Sequence, residues 1–377
     1  MLPGGGSAVA VNAAIVGARP TGLGLYTLNL IRGLDAQGEC LVVYTSCPDL
    51  VKAPRALIER IPAALRPERG AAGHLLRLLW VQTSLRRRVQ RARPRLLLNV
   101  TPEGILAPSL PQVTTVHDVL PLHYPAEYPR QQYYFRHYVP AVLRASRAVI
   151  VVSESTRRDV LRFYGVPPEK VHVVLAGYES DRFTPHGRAA DPVGSPYALY
   201  VGNVMPHKNL PRLVEAFGLV ARRLPLKLVL RGSGRARHVR ALRQRIEALG
   251  LGDRVDWRPY AEPDELPALY RGARMLLLPS LYEGFGLTAL EAMACGTPVV
   301  TSNVSSLPEV VGDAALLVDP SDAESMAAAM TRIIDDERLA KELREQGPAR
   351  ARLFSWENTA RAVQRAMTQA LARPAGA

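Results

Sequence analysis

Residues 274–303, RMLLLPSLYEGFGLTALEAMACGTPVVTSN, contain a strand, a glycine loop, a helix and a second strand in sequence. MLLLP is a short apolar run, as expected for a strand buried on both faces of a sheet. Helix-forming residues follow from Leu287 to Cys295, and Gly296 is placed where a helix would end. TPVVTSN predicts the next strand. Such a unit is typical of a parallel sheet, which binds ligands at the carboxyl edge of its strands.

Two glutamates in this stretch, Glu283 and Glu291, are candidates for that edge. Glu283 is predicted to lie in the loop beside Gly284 and Gly286, where backbone N–H groups of a helix N-terminus could approach an anion. Glu291 would lie about one turn further into the helix. From the spacing alone two interpretations remain open: a helix cap with a solvated glutamate, or two carboxylates that face a ligand.

Length and composition indicate a globular protein of two domains. The chain has 377 residues, more than one ordinary domain contains. Hydrophobic residues make up 47% of the chain and charged residues 22%, a composition that argues against disorder. Its three cysteines are too few and too scattered for a disulfide framework or a metal site, and they suggest a reducing compartment. The sequence contains no run of about 18 or more apolar residues, so it predicts no membrane span. The beginning, MLPGGGSAVAV, lacks the basic start of a signal peptide, so we expect a disordered start followed by a strand.

Positive charge is concentrated in the first half of the chain. The net charge is +14, and the first 190 residues carry 24 Lys and Arg against 13 Asp and Glu, compared with 24 against 21 in the remainder. Neither zinc-finger spacing nor an aromatic-rich RNA-binding signature accompanies this charge, and aromatic residues make up only 6% of the chain. We therefore expect no nucleic-acid partner.

An acid-free basic run with eight arginines extends from Arg69 to Pro102. Within it, residues 74–95 place apolar side chains near helical spacing and arginines between them. The apolar positions are Leu75, Leu78, Leu79, Leu85 and Val89, and the basic positions are Arg86, Arg87, Arg88, Arg91 and Arg93. A basic amphipathic helix suits an anionic membrane surface, where each basic residue contributes about 1 kcal/mol. The alternative is a solvated charged face.

Short apolar runs alternate with helical stretches along the chain, which predicts two doubly wound α/β domains. The predicted strands of the first half are AVAVNAAIVG, CLVVYTS, RLLLNVTP, QVTTVHD and RAVIVVSES. Those of the second half are YALYVGN, LKLVLRG, RVDWRPY, RMLLLPS and TPVVTSN. The Pro- and Gly-rich residues 181–196 indicate a linker. We expect an N-terminal domain over 1–185, a C-terminal domain over 195–355, and a last helix over 356–377 that could cross back to the N-terminal domain.

Each half also has one loop suited to phosphate. After the strand AAIVG, Gly22 and Gly24 immediately precede a helix, although a lone G-x-G also makes ordinary turns. Lys208 lies between a strand and a helix, where it would be a point charge for a diphosphate, although exposed loop lysines are common. His117 follows a buried strand, a position at which a lone histidine is more often structural.

Several segments, taken together and in order, resemble family 4 of the retaining glycosyltransferases. VGNVMPHKNL, PSLYEGFGLTALEAMACGTPVV and SSLPEVVGDAALLVDPSD are similar to that family's C-terminal domain. PTGLGLYTLNL, VHDVLPLHYP and VVSESTRRDVLRFYGVPPEKVHVVLAGYE are similar to its N-terminal domain. The resemblance runs from about residue 12 to about residue 370. It implies the GT-B fold, in which two Rossmann-like domains face a central cleft.

The resemblance also implies a role for each candidate residue. Glu283 and Glu291 match the family's E-x7-E motif, in which the first glutamate contacts the donor sugar and the second contacts the nucleotide ribose. Lys208 would neutralise the diphosphate and His117 would approach the sugar, so Glu283, His117 and Lys208 are the expected catalytic residues. The other expected donor-binding residues are Gly22, Gly24, Asn203, Arg231, Tyr260, Gly284, Phe285, Gly286 and Leu287.

Two positions depart from the family pattern. Asn203 and Leu25 stand where members often carry arginine, and both changes remove positive charge from the expected diphosphate site. Either Arg19 or Arg231 could compensate, or the site could depend more on Lys208 and the helix N-terminus.

The resemblance implies retaining transfer of a hexose from a nucleotide sugar to a saccharide or lipid-linked acceptor in bacterial surface-polysaccharide synthesis. VHDVLPLHYP is most similar to members that transfer mannose or a related deoxyhexose, which favours GDP-mannose as the donor. The sequence contains no D-x-D triplet, so we expect neither an obligatory metal nor another cofactor. A GT-B nucleotide-sugar epimerase and a non-catalytic sugar-nucleotide-binding protein remain alternatives. We expect a cytoplasmic protein, peripheral on the inner face of the cytoplasmic membrane.

Overall fold

The computed structural model describes residues 7–372, which divide into two compact units. Unit 1 comprises residues 7–177 and 356–372, and unit 2 comprises residues 178–355. The expected disordered start over residues 1–6, and residues 373–377 of the expected last helix, lie outside the described range. Residues 181–196, predicted as a linker, belong to unit 2, where Ala190 N donates to Ala268 O at 2.8 Å.

Unit 1 contains a seven-stranded sheet in which all the strands are parallel, in the order β3-β2-β1-β4-β5-β6-β7. Its strands are β1 (Val9–Asn12), β2 (Leu41–Thr45), β3 (Leu57–Arg60), β4 (Leu96–Asn99), β5 (Gln112–Val116), β6 (Ala148–Val151) and β7 (Val171–Val173). The five inner strands were predicted because their residues are buried on both faces. The edge strands β3 and β7 were not predicted, because β3 is the polar LIER and β7 is only three residues long.

The helices of unit 1 alternate with its strands, as expected for a doubly wound domain. They are Gly22–Ala36, Gly70–Trp80, Arg86–Ala92, Leu120–His123, Gln131–Tyr133, Val139–Ala145, Glu154–Tyr164 and Trp356–Ala372. The last of these packs on the helix Gly22–Ala36, where a Cβ at Gly33 would lie 3.0 Å from Trp356 O and 3.0 Å from Ala360 Cβ. Glycine at position 33 therefore permits the close packing of the two helices.

The basic run forms one continuous helical stretch, in which Val81–Leu85 is a π-helical turn between Gly70–Trp80 and Arg86–Ala92. The prediction of a single apolar face is wrong: Leu85 and Val89 are buried in the core, whereas Leu75 and Leu79 are 59% and 55% exposed. The physical reason is rotation, because Leu85 and Val89 do not lie on the same side of the helical stretch as Leu75 and Leu79. Among residues 7–372, no helix is both long and apolar enough to cross a membrane.

Unit 2 contains a six-stranded parallel sheet in the order β10-β9-β8-β11-β12-β13. Its strands are β8 (Tyr197–Val201), β9 (Lys227–Arg231), β10 (Val255–Arg258), β11 (Met275–Leu278), β12 (Val299–Ser302) and β13 (Leu316–Val318). The order reverses between β8 and β11, so the loops that leave these two strands flank the crevice where doubly wound sheets bind ligands. In unit 1 the same reversal lies between β1 and β4.

The helices of unit 2 are Leu210–Ala221, Ala236–Ala248, Leu266–Gly272, Leu287–Ala294, Leu307–Val311, Ala323–Asp335 and Glu337–Ala351. The helix Leu287–Ala294 follows β11 and lies between β11 and β12 in the chain, as the opening stretch predicted. Both sheets and their covering helices confirm the prediction of two doubly wound Rossmann-like domains.

Candidate active site

Two loops of unit 2 are joined at the crevice between β8 and β11. Lys208 ends the short turn Pro206–Lys208 after β8, and Glu283 lies in the loop after β11. Leu281 N donates to His207 O at 2.7 Å, and Asn209 Nδ2 donates to Pro279 O at 3.1 Å. These bonds hold the two loops side by side at the carboxyl edge of the sheet.

The side chains of Lys208 and Glu283 form an ion pair in this crevice. Lys208 Nζ lies 2.5 Å from Glu283 Oε1, and the two side chains are only 15% and 14% exposed. Ser280 Oγ donates to the same carboxylate oxygen at 2.7 Å. Within the described residues, the second oxygen Oε2 accepts no hydrogen bond from the protein, so it is available to a hydroxyl group of a ligand.

The loop beyond Glu283 turns sharply into the helix Leu287–Ala294. Gly286 has φ +108°, and a Cβ there would lie 2.8 Å from Leu307 Cδ2, so both the backbone conformation and the close contact require glycine. The ring of Phe285 is buried at 6.0 Å from the ring of Phe354. Phe285 therefore offers a ligand its backbone and not its side chain. The first N–H groups of the helix lack intrahelical acceptors and favour an anion.

Glu291 lies on that helix in a half-buried position. Tyr270 Oη donates to Glu291 Oε2 at 3.1 Å. Burial raises the pKa of Glu291 to about 7, against the lowering effects of the Tyr270 hydrogen bond and of Arg182, while Glu179 adds to the rise. The carboxyl is thus poised to change its protonation state near neutral pH when a hydrogen-bonding ligand arrives.

The three other side chains predicted for the donor site have different surroundings. Arg231 is nearly fully buried at the end of β9, where Nη2 donates to Asp256 Oδ2 at 2.7 Å and Nη1 donates to Leu230 O at 3.0 Å. A diphosphate would have to compete with that carboxylate for Arg231. Asn203 follows β8 and is exposed, and its backbone carbonyl accepts a hydrogen bond from Tyr200 Oη at 2.8 Å. Tyr260 is 63% exposed in the loop after β10.

In unit 1, His117 follows β5 immediately and is held as a neutral ring. Its Nε2 lies 2.8 Å from Val100 O, and because a carbonyl only accepts, Nε2 carries the proton and Nδ1 is left as an acceptor. The His117 ring packs edge to face on Tyr26 with 4.5 Å between centroids. Burial lowers the pKa of His117 to about 4, although the hydrogen bond to Val100 opposes the shift.

Glycine is required at position 24 by packing, but packing does not require it at position 22. Gly22 begins the helix Gly22–Ala36, and a Cβ there would meet no atom within 4 Å. A Cβ at Gly24 would lie 2.8 Å from Pro20 Cβ, so packing excludes a side chain there. Packing within unit 1 therefore explains Gly24 but leaves Gly22 without a steric reason, as expected if a ligand approaches the backbone there.

Two family profiles together match most of the chain. The family profile "Glycosyltransferase Family 4" matches residues 20–182, and the profile "Glycosyl transferases group 1" matches residues 181–350. O-antigen chain mannosyltransferase B of Escherichia coli is 36% identical over 258 residues, which make up 65% of this chain and 67% of that protein.

The chain belongs to family 4 of the glycosyltransferases.

A second relative and a solved structure extend the comparison. The MMP alpha-(1->4)-mannosyltransferase of Mycolicibacterium hassiacum is 34% identical over 255 residues, 65% of this chain and 60% of that protein. The match thus spans about two thirds or less of the length of these curated relatives. Sucrose-phosphate synthase from Thermosynechococcus elongatus has a similar fold, with a TM-score of 0.77, 23% identity, and coverage of 96% of this chain and 98% of that one. This likeness confirms the expected fold.

The structure places further residues around Glu283 and Glu291 that the sequence did not predict. Ser280, Ser305 and Ser306 all contact Glu283 or its backbone, and Tyr270 contacts Glu291. The serines follow β11 and β12 at the carboxyl edge, and that position is the signal that could have identified them. Tyr270 lies inside the helix Leu266–Gly272 and carries no comparable signal.

Proposed function

We propose that this protein is a retaining glycosyltransferase that transfers mannose from GDP-mannose to a saccharide or lipid-linked acceptor in bacterial surface-polysaccharide synthesis. The observation that carries the proposal is the cluster of Lys208, Glu283 and Ser280 at the crevice between β8 and β11. The two adjoining loops bring together the cation of Lys208, the carboxylate of Glu283 with its unbonded Oε2, and the N-terminus of the helix Leu287–Ala294. This is the set of groups that a sugar bound to a diphosphate requires.

The charges of this cluster fit the course of such a transfer. When the bond between the sugar carbon C1 and the phosphate breaks, negative charge grows on the diphosphate and the sugar becomes oxocarbenium-like. Lys208 and the N-terminus of the helix Leu287–Ala294 would stabilise the leaving diphosphate more in the transition state than in the ground state. Oε2 of Glu283 would accept a sugar hydroxyl and fix the ring for departure.

Retention of configuration and independence from metal are parts of the proposal that rest on the family resemblance. A leaving phosphate that deprotonates the acceptor on its own face would give retention. Lys208 and the helix N-terminus would supply the positive charge that a metal ion provides in other transferases. We therefore expect that EDTA leaves turnover unchanged.

The choice of mannose follows the names of two relatives. The Escherichia coli and Mycolicibacterium proteins are both mannosyltransferases by name, and the first acts on O-antigen chains. Neither name states a donor base, so the choice of guanine rests on the resemblance of VHDVLPLHYP.

Nucleotide binding and product analysis test the proposal in two steps. Thermal-shift measurements with GDP, UDP, ADP and dTDP should select GDP, since a ligand at 100 times its Kd stabilises the fold by about 2.7 kcal/mol. Turnover of GDP-mannose with a lipid-linked saccharide acceptor, followed by NMR of the anomeric proton, should give an α-mannoside. Selective stabilisation by UDP would overturn the donor, and binding without transfer or hydrolysis would favour a sugar-nucleotide-binding protein. Formation of an epimerised sugar nucleotide would favour an epimerase.

We also propose that unit 1 docks on the anionic inner face of the cytoplasmic membrane through residues 74–95. One exposed stripe of this helical stretch carries Leu75, Leu79, Thr83, Arg87 and Arg91, which are spaced by four residues. Exposed leucines can enter the headgroup region, and guanidinium groups on the same stripe can attract anionic lipids. Arg77 does not contribute, because it is buried with its Nε 2.8 Å from Glu103 Oε2.

A further inference from the structure

The loop after β12 supports the loop that carries Glu283. Three consecutive residues of it, Ser305, Ser306 and Leu307, contact the segment from Glu283 to Gly286, and we call these three residues the serine platform. Ser306 and Leu307 are completely buried. None of the three was among the residues expected at the site.

The hydroxyl groups of the platform bind backbone atoms of the Glu283 loop. Ser305 Oγ accepts from Glu283 N at 3.1 Å and donates to Glu283 O at 2.6 Å. Ser306 Oγ lies 2.7 Å from Phe285 O and 2.9 Å from Glu283 O. Each hydroxyl has a single hydrogen. Ser305 can therefore supply the carbonyl of Glu283 while Ser306 supplies the carbonyl of Phe285.

These bonds fix the direction of the backbone dipoles in the loop. No cis peptide bond occurs in the described chain, so each C=O in this loop points opposite to the N–H of the next residue. With the carbonyls of Glu283 and Phe285 turned to the platform, the N–H groups of Gly284 and Gly286 are directed to the opposite side. An anion is repelled by carbonyl oxygens and attracted by N–H groups, so this orientation prepares the loop for a phosphate.

The backbone of Ser305 shows that this arrangement is held against an intrinsic preference. Its φ is +60°, in the left-handed region, which a residue with a Cβ rarely adopts. Two hydrogen bonds between Ser305 Oγ and the backbone of Glu283 fix the side chain of this residue against the loop. Leu307 completes the support from below Gly286, where no side chain would fit.

We propose that Ser305 and Ser306 are positioning residues for donor binding, which orient the backbone of residues 283–286 toward the phosphate that carries the sugar. The proposal rests on the proposed function, since it takes a nucleoside diphosphate as the ligand of this loop. Because Glu283 is assigned to the sugar, the β-phosphate to which the sugar is attached is the phosphate nearest the loop. A nucleoside monophosphate lacks that phosphate and should depend less on the platform.

The test compares GDP with GMP in three variants of the full chain. Ser305→Gly removes the hydroxyl but keeps access to the left-handed conformation, and Ser306→Ala removes the second hydroxyl. Thr301→Val is the matched control, because Thr301 Oγ1 also donates to a backbone carbonyl and is fully buried in β12, but its bond is to Leu278 O of β11, at 3.0 Å, and not to the Glu283 loop. UDP and UMP are measured in parallel to cover the other common base.

Calorimetry should show that Ser305→Gly and Ser306→Ala each weaken GDP binding about five- to tenfold, the effect of losing one aligned hydrogen-bond donor. GMP binding should change by less than about twofold, and Thr301→Val should alter neither ligand's Kd. An equal loss for GDP and GMP, or no loss for either, would overturn the positioning role while leaving the proposed function intact. If the wild-type protein binds neither GDP nor UDP, the proposed function itself fails, and the platform fails with it. Ser305→Gly keeps the test valid if Ser306→Ala does not fold.

Discussion

At the scale of single residues, the ion pair between Lys208 and Glu283 determines how the site meets its ligand. Lys208 is 2.5 Å from Glu283 Oε1 and both are largely buried, so each charge compensates the other before any ligand arrives. A diphosphate brings a competing negative charge, and Lys208 must divide its three N–H donors between the carboxylate and the phosphate. Changing either residue therefore changes the other residue's interactions.

The first prediction concerns the two halves of this pair. Glu283→Gln keeps an acceptor for Ser280 but removes the charge that competes for Lys208, so GDP binding should be unchanged or tighter. Transfer should nevertheless fall about a hundredfold or more, because the sugar loses its charged acceptor. Lys208→Ala should weaken GDP binding itself. Calorimetry with GDP and a turnover assay measure both effects, and a loss of GDP affinity in Glu283→Gln equal to that in Lys208→Ala would refute the division of roles.

The second prediction concerns the proton on Glu291. Burial raises its pKa to about 7. Ribose hydroxyls that donate to the carboxylate would stabilise the ionised form and lower that pKa, so binding should release a proton and become tighter as pH rises through about 7. Calorimetry of GMP binding at pH 7 in buffers of different ionisation enthalpy measures the proton count. Glu291→Gln should abolish the release, and a proton taken up by the wild-type protein would contradict the proposed role.

At the scale of elements, the helical stretch 70–92 was predicted as a helix from its leucines and arginines, but the side of it that faces the core was not. The sequence contains leucines and arginines in abundance, but tertiary packing selects Leu85 and Val89 for the core and leaves Leu75 and Leu79 outside. Arg77 is drawn inward by Glu103, whose pKa is lowered by hydrogen bonds from His74 and Arg77 against the raising effect of burial. The exposed stripe could only be identified once these partners were known.

The third prediction tests that stripe as a membrane-binding surface. Leu75→Ser with Leu79→Ser should remove the apolar contact, and Arg87→Glu with Arg91→Glu should replace two attractive charges with two repulsive ones. Both double variants should lose binding to phosphatidylglycerol vesicles in a sedimentation assay, and wild-type binding should weaken as salt rises. Arg88 is left unchanged because its Nη1 is 2.8 Å from Glu59 Oε2.

A matched control comes from unit 2. Leu219 is 58% exposed, close to the exposure of Leu75 and Leu79, but it lies on the helix Leu210–Ala221. Leu219→Ser should leave vesicle binding unchanged. If the wild-type protein ignores anionic vesicles at low salt, or if Leu219→Ser is as harmful as the leucine pair, the stripe is only a solvated face.

At the scale of the whole molecule, the parts that could be predicted are those dictated by local patterns. Inner strands such as MLLL of β11 are recognisable as apolar runs because both of their faces are buried. The loop before Leu287 is recognisable because its glycines lie between that run and a helical stretch. The edge strand β13 was missed, since it is only three residues long. The ion pair between Lys208 and Glu283 joins residues 75 positions apart, and the serine platform approaches Glu283 from 22 and 23 positions away. Such pairings depend on strand order, which local patterns do not specify.

The last prediction concerns the helix Trp356–Ala372, which the fold assigns to unit 1 although it follows unit 2 in the chain. Val363 is fully buried on this helix. Val363→Asp would place an unpaired charge in the core of unit 1, which costs several kcal/mol or forces the helix to detach. Because unit 2 has its own sheet and core, hydrogen exchange should accelerate in peptides of the helix Gly22–Ala36 and of β5 and β6 but not in peptides of β8 or β11. The exposed Thr368→Asp on the same helix is the control and should leave exchange unchanged. Equal acceleration in both units would show that the helix stabilises the entire chain and not unit 1 alone.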